Sequence, residues 1–349
     1  MSIRNQLKSA LISLPPDARP FEELAMEVFQ YQYAQNPVYR QYADSLGKSP
    51  AHVRRIEKIP FLPIEFFKSH SVVTGFTEPQ MIFESSGTTS SQTSRHSVAD
   101  LTLYEILSRK TFEQMYSPLS DYHIFALLPS YLERNNSSLV YMVQNFIYYS
   151  YSPFSGFFLD NTEEMVKKMT EAAADQRKIL LIGVTFGLLD LLENEPLAQK
   201  IRALSDRLIV METGGMKGRR KEMIREELHA ILTAGFGVET IHSEYGMTEL
   251  LSQGYSKGEG IFHLPPSMKI FLREINDPFT YLPHFAIGTK PEEVKQRTGG
   301  INVIDLANID SCSFIETKDL GIYTEDYSGF RVVGRFDNSD IRGCNLLLA

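Results

Sequence analysis

The stretch from Glu84 to His96, ESSGTTSSQTSRH, consists mainly of Ser and Thr, with one glycine and no aliphatic side chain. It follows QMIF, which is typical of the end of a buried strand. A small, hydroxyl-rich loop between a strand and a helix lets backbone N–H groups converge on an anion, and its hydroxyls add donors. The stretch is therefore a candidate phosphate-binding loop, although a polar linker is the alternative that composition alone slightly favours. Its candidate ligand-binding residues are Ser85, Ser86, Gly87, Thr88, Thr89 and Ser90.

Two further stretches have side chains that suit nucleotide chemistry. In SEYGMTEL (Ser243–Leu250), the Tyr245 ring could stack on a base, Thr248 could hold a phosphate and Glu249 could hold Mg²⁺. The alternative is an ordinary strand-to-helix turn capped by Thr248. Further along, ETKDLG and GRFDNSDIRG place Asp319 and Arg335 at the edges of a β-rich region, where an Asp and an Arg can bind vicinal hydroxyls.

Composition limits the classes of function. The chain has 349 residues, a net charge of -8 and 43% hydrophobic residues, so a nucleic-acid-binding face is not expected. With only two cysteines, Cys312 and Cys344, a disulfide framework or a Cys-rich zinc site is excluded and a reducing compartment is expected. No secretory leader pattern and no apolar run of about 18 residues is found, so the sequence predicts a cytoplasmic protein without a membrane span. The G-x-x-x-x-G-K-[ST] pattern does not occur, which disfavours a standard P-loop nucleoside triphosphatase.

The arrangement of elements predicts an α/β protein. Residues 1–80 are expected to form an N-terminal helical segment and a connector. Residues 81–275 form an α/β core, in which apolar strands alternate with amphipathic helices, including a helix from Val98 to Tyr116. Such alternation favours a mainly parallel sheet covered on both faces. Residues 276–349 have short strands separated by polar turns, which predict a β-rich subdomain.

Taken together and in this order, four stretches resemble the motifs of the adenylate-forming superfamily of acyl-CoA synthetases and adenylation domains. SSGTTSSQTS is similar to its phosphate loop, EYGMTE to its Tyr-Gly-x-Thr-Glu motif, KDLG to its ribose motif, and GRFDNSDIRG to its hinge motif. Within the superfamily, IPFLPIEFFKSHSV before the loop, the short chain and the final RGC resemble the acyl-protein synthetases of the LuxE type. Phenylacetate-CoA ligases are the next most similar group.

The resemblance implies an adenylate-forming large domain whose usual small C-terminal domain is absent or truncated. It implies that ATP and Mg²⁺ are used to convert a carboxylic acid, such as a fatty acid, to acyl-AMP, which a protein thiol then attacks. The implied catalytic residues are Thr248, Arg335 and Cys344, and Glu249 is the implied metal ligand. The implied nucleotide contacts are Ser85 to Ser90, Tyr245, Gly246 and Asp319. An acyl-CoA reductase-type protein is the implied partner that receives the acyl group.

The sequence also departs from the family pattern. Thr93 stands where the family usually has a basic residue, with Arg95 as the nearest cation, and Asn338 replaces the second acidic residue of the hinge. The catalytic Lys of the usual C-terminal domain has no counterpart. Two alternatives therefore stay open: a CoA ligase in which Cys344 only packs, and a non-catalytic subunit that binds a nucleotide or an acyl group. Cys312, in the strand-like SCSFIE, is expected to lie in the core.

Overall fold

A computed structural model of the chain describes residues 2–13, 21–76, 78–85, 93–128, 136–159, 161–214, 223–282 and 297–336. The described residues belong to two compact units. Unit 1 draws on Met1–Tyr104, Glu249–Ser252 and His263–Ala349, and unit 2 on Glu105–Thr248 and Gln253–Phe262. Residues 81–104 and 263–275, which the sequence places with the α/β core, are therefore part of unit 1.

The helices are concentrated in the first two thirds of the chain. They are α1 (Ile3–Ser13), α2 (Phe21–Gln35), α3 (Pro37–Ser45), α4 (Phe66–Ser69), α5 (Leu101–Met115), α6 (Ser138–Ser150), α7 (Thr162–Ala172), α8 (Thr185–Glu193), α9 (Glu195–Arg202) and α10 (Arg225–Phe236). None of these helices is both long and apolar enough to cross a bilayer, a finding that covers the described residues.

The strands occur in both units. They are β1 (Leu62–Pro63), β2 (Met81–Glu84), β3 (Arg95–Val98), β4 (Tyr122–Leu127), β5 (Gly156–Phe158), β6 (Lys178–Val184), β7 (Leu208–Thr213), β8 (His242–Tyr245), β9 (Gly254–Ser256), β10 (Met268–Arg273), β11 (Gly299–Asp305), β12 (Phe314–Tyr323) and β13 (Phe330–Arg335).

Unit 1 contains a five-stranded sheet in the order β1-β12-β11-β10, with β13 paired to β12. The pairs among β10, β11, β12 and β13 are antiparallel, whereas β1 runs parallel to β12. The N-terminal helices pack on this sheet through Phe29 of α2 and Tyr39 of α3, whose rings lie 6.2 and 5.9 Å from the Phe314 ring. All three side chains are fully buried. The described residues near the N-terminus are thus mainly helical, and those from β11 onward are mainly in strands.

Unit 2 contains a six-stranded sheet in the order β5-β4-β6-β7-β8-β9. Its first five strands are parallel, and only β9 is antiparallel to its neighbour. Every residue of β4 is buried, and every residue of β6 except Lys178. Helices α6 and α7 contact β4, and α8 contacts β6 and β7. Strands that are buried along their whole length are typical of a parallel sheet between helices, so the predicted α/β fold class is confirmed.

The predicted helix boundaries hold with small differences. Gly237 follows α10 with a φ of 69°, a left-handed conformation that glycine adopts without a steric penalty. Asn161 precedes α7 as predicted, but its side chain makes no capping bond to the helix backbone. Its amide instead donates to Glu164 Oε2 at 3.0 Å. The helix predicted from Val98 begins at Leu101, because Val98 belongs to β3.

Candidate functional site

The hydroxyl-rich stretch is closed at its base by two serines. Strands β2 and β3 form an antiparallel pair, in which Glu84 lies opposite Arg95. Ser85 N donates to Ser94 O at 3.1 Å, and Ser94 N donates to the Ser85 hydroxyl at 2.9 Å. Of the predicted loop residues, Ser85 is described, whereas Ser86, Gly87, Thr88, Thr89 and Ser90 lie outside the described residues. We call β2, β3 and the residues between them the hydroxyl hairpin.

This arrangement corrects one expectation. The sequence predicts that the loop leads directly into a helix, whose N-terminal N–H groups would help to bind an anion. The structure places β3 after the loop instead. Its alternating pattern explains the strand, because Val98 and His96 are buried on one face while Arg95 is exposed on the other. The His96 ring lies 3.0 Å from the Ser311 hydroxyl, which satisfies a buried imidazole nitrogen. Phosphate binding at this hairpin would therefore depend on its own backbone and hydroxyl groups.

Glu249 lies beside the base of the hydroxyl hairpin, within unit 1. Its side chain is 5% exposed and accepts a hydrogen bond from the Ser94 hydroxyl. Burial raises the pKa of the Glu249 carboxyl, whereas the Ser94 hydrogen bond and the positive charge of Arg335 act in the opposite direction. The charge of Asp319 adds to the upward shift. The structure thus brings together three of the predicted site residues, Glu249, Asp319 and Arg335, which we call the carboxylate cluster.

Asp319 and Arg335 occupy directly opposed positions on β12 and β13. Arg335 Nε lies 3.7 Å from Asp319 Oδ1. Asp319 is 7% exposed, and its backbone N–H donates to the Thr317 hydroxyl at 3.1 Å. The Arg335 side chain is 55% exposed, so it can reach a ligand as well as its carboxylate partner. The cluster therefore combines two buried carboxylates with one accessible cation.

Asp305 positions the residues that follow Glu249, and the sequence analysis missed it. Its carboxylate is fully buried and accepts hydrogen bonds from Leu251 N at 2.8 Å and from Ser252 N at 2.9 Å. The Ser252 hydroxyl donates to it at 2.6 Å. Asn308 adds a bond from its Nδ2 to Glu249 O at 2.7 Å. An aspartate inside the apolar run INVIDLAN is a detectable signal, since a buried charge needs several donors.

The EYGMTE motif is divided between the units. Its residues up to Thr248 belong to unit 2, and Glu249 belongs to unit 1. Tyr245 ends β8 and is 7% exposed, and its ring centroid lies 5.7 Å from that of Phe262. Gly246 is exposed, and Thr248 is partly exposed. The parallel strands β7 and β8 end here, and ligands of open α/β sheets bind beyond the carboxyl ends of such strands.

Glu244 lies beside Gly246 and was not predicted as a site residue. The Thr213 hydroxyl donates to Glu244 Oε2 at 2.6 Å, which links the ends of β7 and β8. A Cβ atom at position 246 would overlap Glu244 Oε1, so only glycine fits with the carboxylate in this place. Burial raises the pKa of Glu244 to about 7; the Thr213 hydrogen bond lowers it, and the charge of Glu212 raises it further.

The carboxylate cluster suits Mg²⁺ in its donor chemistry. Mg²⁺ prefers oxygen ligands and commonly takes one or two from carboxylates and the others from phosphates and water. Glu249 offers a buried carboxylate whose pKa is raised by desolvation, and a nearby cation would offset that desolvation. Glu249 is therefore a suitable metal ligand, and the Asp319 carboxylate is close enough to raise its pKa.

Comparisons with known proteins give similarities at the level of structure. No family model matches the sequence, and no curated protein matches it. A mutant coronafacic acid ligase from Pectobacterium brasiliense aligns with a TM-score of 0.43 and 14% identity, covering 70% of this chain and 44% of that one. A long-chain-fatty-acid-CoA ligase from Archaeoglobus fulgidus aligns with a TM-score of 0.43 and 12% identity, covering 74% of this chain and 52% of that one.

A third similar structure is McyG A-PCP in complex with phenylalanyl-adenylate. It aligns with a TM-score of 0.47 and 13% identity, and the alignment covers 84% of this chain and 51% of that one. The chain therefore spans about half the length of the solved structures that it matches. At these identities and TM-scores, none of the similarities decides what this chain binds or catalyses.

Proposed function

We propose that this chain activates a carboxylic acid with ATP to form an acyl adenylate, and then transfers the acyl group to the thiol of Cys344. In the first step, a carboxylate oxygen of the acid attacks the α-phosphorus of ATP, and the bond to the β-phosphate breaks to release pyrophosphate. In the second step, the thiol sulfur attacks the acyl carbon, loses its proton, and AMP leaves.

One observation carries the adenylation half of the proposal. Glu249, Asp319 and Arg335 come from three separate stretches of sequence, yet they form one cluster next to Ser94 at the base of the hydroxyl hairpin. These are the stretches whose motifs resemble those of adenylate-forming enzymes. Asp319 and Arg335 meet because β12 and β13 are paired, but a chance resemblance gives no reason for Glu249, 70 positions before Asp319, to join them. Their convergence therefore supports a shared nucleotide site.

The residues of the cluster have separate roles in the proposal. Asp319 accepts hydrogen bonds from the ribose hydroxyls, because a buried carboxylate is a strong acceptor. Arg335 stabilises negative charge that develops on the α-phosphate. A hydrogen-bond donor that is already in position before the reaction typically raises the rate about 10²–10³-fold. Thr248 and the serines and threonines of the hydroxyl hairpin, Ser85 included, contact phosphate oxygens.

Glu249 holds the metal ion in this scheme. When it is bound, Mg²⁺ supplies charge neutralisation for the phosphates. Ser94 orients the Glu249 carboxylate through its hydroxyl, and Asn308 fixes the Glu249 backbone. Asp305 holds the next two residues through three hydrogen bonds. The chain therefore supplies a carboxylate whose position is fixed from several sides.

The choice of Cys344 as acyl acceptor rests on the family resemblance and on the state of the other cysteine. Cys312 is fully buried, as predicted, and burial raises its pKa to about 12. A thiol of this kind is neither ionised nor accessible at neutral pH, so it makes a poor nucleophile. Cys344 itself lies outside the described residues. A fatty acid as substrate and an acyl-CoA reductase-type partner belong to the same proposal.

The test of adenylation is carboxylate-dependent exchange of labelled pyrophosphate into ATP, measured with acids of increasing chain length. Exchange that depends on both the acid and Mg²⁺ is the expected result. If no acid supports exchange at any length, the adenylation proposal is wrong and a non-catalytic binding subunit becomes the better explanation.

The test of transfer uses a mass-tagged fatty acid with ATP and Mg²⁺ and without CoA. The tag should become attached to the protein through a bond that neutral hydroxylamine cleaves. Cys344→Ser should abolish attachment and leave pyrophosphate exchange intact, while the control Cys312→Ser should keep both. Attachment that persists in Cys344→Ser would contradict the assignment. Formation of acyl-CoA after CoA is added, without attachment to the protein, would identify a CoA ligase.

A further inference from the structure

The strand β13 ends at Arg335, and little within the strand itself holds that end in place. Phe330, the first residue of β13, is the only buried residue of the strand. β13 pairs with β12 and with no other strand of the described residues. Arg335 lies 3.7 Å from Asp319, but its side chain is 55% exposed, and exposed ion pairs contribute little to stability. The end of such a strand is expected to open easily, so Arg335 needs a second anchor.

A buried arginine of β10 offers such an anchor. Arg273, the last residue of β10, is 4% exposed. Its Nη1 donates to Ile301 O at 3.0 Å and to Asn302 Oδ1 at 2.7 Å, and its Nη2 donates to Thr317 O at 2.7 Å. Nη2 also lies 3.5 Å from Glu316 Oε1. The guanidinium is therefore fixed to both β11 and β12 by contacts along its edge.

The residue opposite Arg273 leaves room for this arrangement. Gly300 of β11 pairs with Arg273, and a Cβ atom at position 300 would lie 2.6 Å from Arg273 Cζ and 2.8 Å from its Nη1. A side chain there would displace the guanidinium, so glycine lets it lie close to the backbone of β11. A guanidinium is planar and its N–H groups point outward in that plane, which leaves its flat face for other contacts.

The Arg273 guanidinium lies over the ring of Phe336, the residue that directly follows β13. Its Cζ is 5.2 Å from the ring centroid, which is within the range of a cation–π interaction, and Phe336 is half-buried. Burial lowers the pKa of Arg273 because the charged form loses its hydration. The negative face of an aromatic ring favours the charged form, and does so more strongly when the cation is desolvated. Phe336 therefore fixes the chain at the point where β13 ends.

We propose that Phe336 is a positioning residue for Arg335: docked on the Arg273 guanidinium, its ring holds the end of β13 so that Arg335 stays opposite Asp319. The consequence for catalysis rests on the proposed function, in which Arg335 stabilises negative charge that develops on the α-phosphate. In this scheme Phe336 acts only through Arg335.

Two substitutions separate the cation–π contact from simple packing. Phe336→Leu keeps an apolar side chain but removes the ring, whereas Phe336→Trp keeps a ring whose face attracts cations more strongly. The matched control is Val333→Ala, which shortens an exposed side chain of the same strand. All three substitutions lie outside the fully buried core, so the variants should fold.

Hydrogen exchange measured by mass spectrometry tests the anchor independently of activity. In Phe336→Leu, the backbone amides in the last part of β13 should exchange about two- to tenfold faster, since the strand end opens more often. The amides of β10 and β11 should keep their exchange rates, because the hydrogen bonds of Arg273 remain. In Phe336→Trp and Val333→Ala, the amides of β13 should exchange no faster than in the unchanged chain.

Pyrophosphate exchange tests the effect on Arg335. Because Arg335 acts on charge that develops in the transition state, Phe336→Leu should lower kcat about three- to tenfold and leave KM for the acid nearly unchanged. Phe336→Trp should keep kcat. In an Arg335→Gln background, Phe336→Leu should lower kcat no further, since the side chain that it positions is already gone.

Any of three results overturns the proposal. The first is unchanged hydrogen exchange at the end of β13 in Phe336→Leu. The second is an equal fall of kcat on adding Phe336→Leu with and without Arg335. The third is a loss in Phe336→Trp as large as that in Phe336→Leu, which would assign the effect to packing alone. If the unchanged chain supports no pyrophosphate exchange, the proposed function fails, and hydrogen exchange still decides whether Phe336 holds β13.

Discussion

The contact between Gly246 and Glu244 allows a prediction whose size follows from the structure. A methyl group at position 246 would overlap Glu244 Oε1. The carboxylate is the end of a flexible side chain, so it can move away, but only by leaving the Thr213 hydroxyl that donates to it at 2.6 Å. A lost hydrogen bond costs about 0.5–1.5 kcal/mol when neutral and about 1.5–3 kcal/mol when charged. Because the pKa of Glu244 is raised to about 7, both forms are present at neutral pH.

We therefore expect Gly246→Ala to destabilise unit 2 by about 1–3 kcal/mol, which lowers its melting temperature by about 2–10 °C. Pyrophosphate exchange should fall as well, since the displaced carboxylate no longer supports the turn after β8. The matched control is Gly156→Ala in the same sheet. A Cβ atom at position 156 would lie 3.8 Å from Phe158, an ordinary van der Waals distance, so this control should change the melting temperature little.

The double variant decides whether the overlap is the cause. In a Glu244→Ala background the oxygen that meets the new methyl group is gone, so adding Gly246→Ala should cost close to nothing. The coupling between the two substitutions should then be about as large as the cost of Gly246→Ala alone. If Gly246→Ala costs the same in both backgrounds, or no more than Gly156→Ala, the steric explanation is refuted.

Two further predictions concern carboxylates. Glu249→Gln should reduce pyrophosphate exchange about 10²-fold, because an amide is a weaker ligand for Mg²⁺ than a carboxylate. The control Glu274→Gln removes an equal charge from the surface of unit 1 and should leave the exchange rate unchanged. Equal exchange rates in the two variants would show that Glu249 is not part of the site. Because the pKa of Glu244 is raised from 4.5 to about 7, the folded chain binds more protons than the unfolded chain between these values. Stability should therefore fall as pH rises through this window, by up to about 3 kcal/mol. Glu244→Gln should flatten this part of the curve of melting temperature against pH, and an unchanged curve would contradict the shift.

The elements that the sequence predicts well are those whose pattern is set by their immediate neighbours. The apolar runs YHIFALLPS and RKILLIGV predict β4 and β6, and both strands are buried as a parallel sheet requires. β3 was missed because Arg95 to Val98 is short and polar, and its strand conformation depends on pairing with β2. Pairing across a loop is a non-local interaction, which local propensity does not report.

The candidate site shows the same limit. The motifs predicted Glu249, Asp319 and Arg335 as site residues, and the structure brings these three together. Glu244 and Asp305 were missed because their importance depends on what they contact. Asp305 contacts the backbone of residues 251 and 252, more than 50 positions away. Which residues hold a motif in place is therefore decided by tertiary contacts that no spacing within the motif encodes.

The N-terminal helices show how a buried polar loop determines the organisation of unit 1. The loop between β11 and β12 is fully enclosed, and its backbone groups need partners. Gln32 of α2 donates to Asn308 O at 2.8 Å and accepts from Ser313 N at 2.9 Å, while Asn36 donates to Ser311 O at 2.9 Å. Arg4 of α1 forms an ion pair with Asp310. Because an unpaired buried group costs about 1–3 kcal/mol, the loop that joins these two strands is stable only with the N-terminal helices in place. β11 contains Asp305 and β12 contains Asp319. The N-terminal helices therefore stabilise the strands that position the carboxylate cluster.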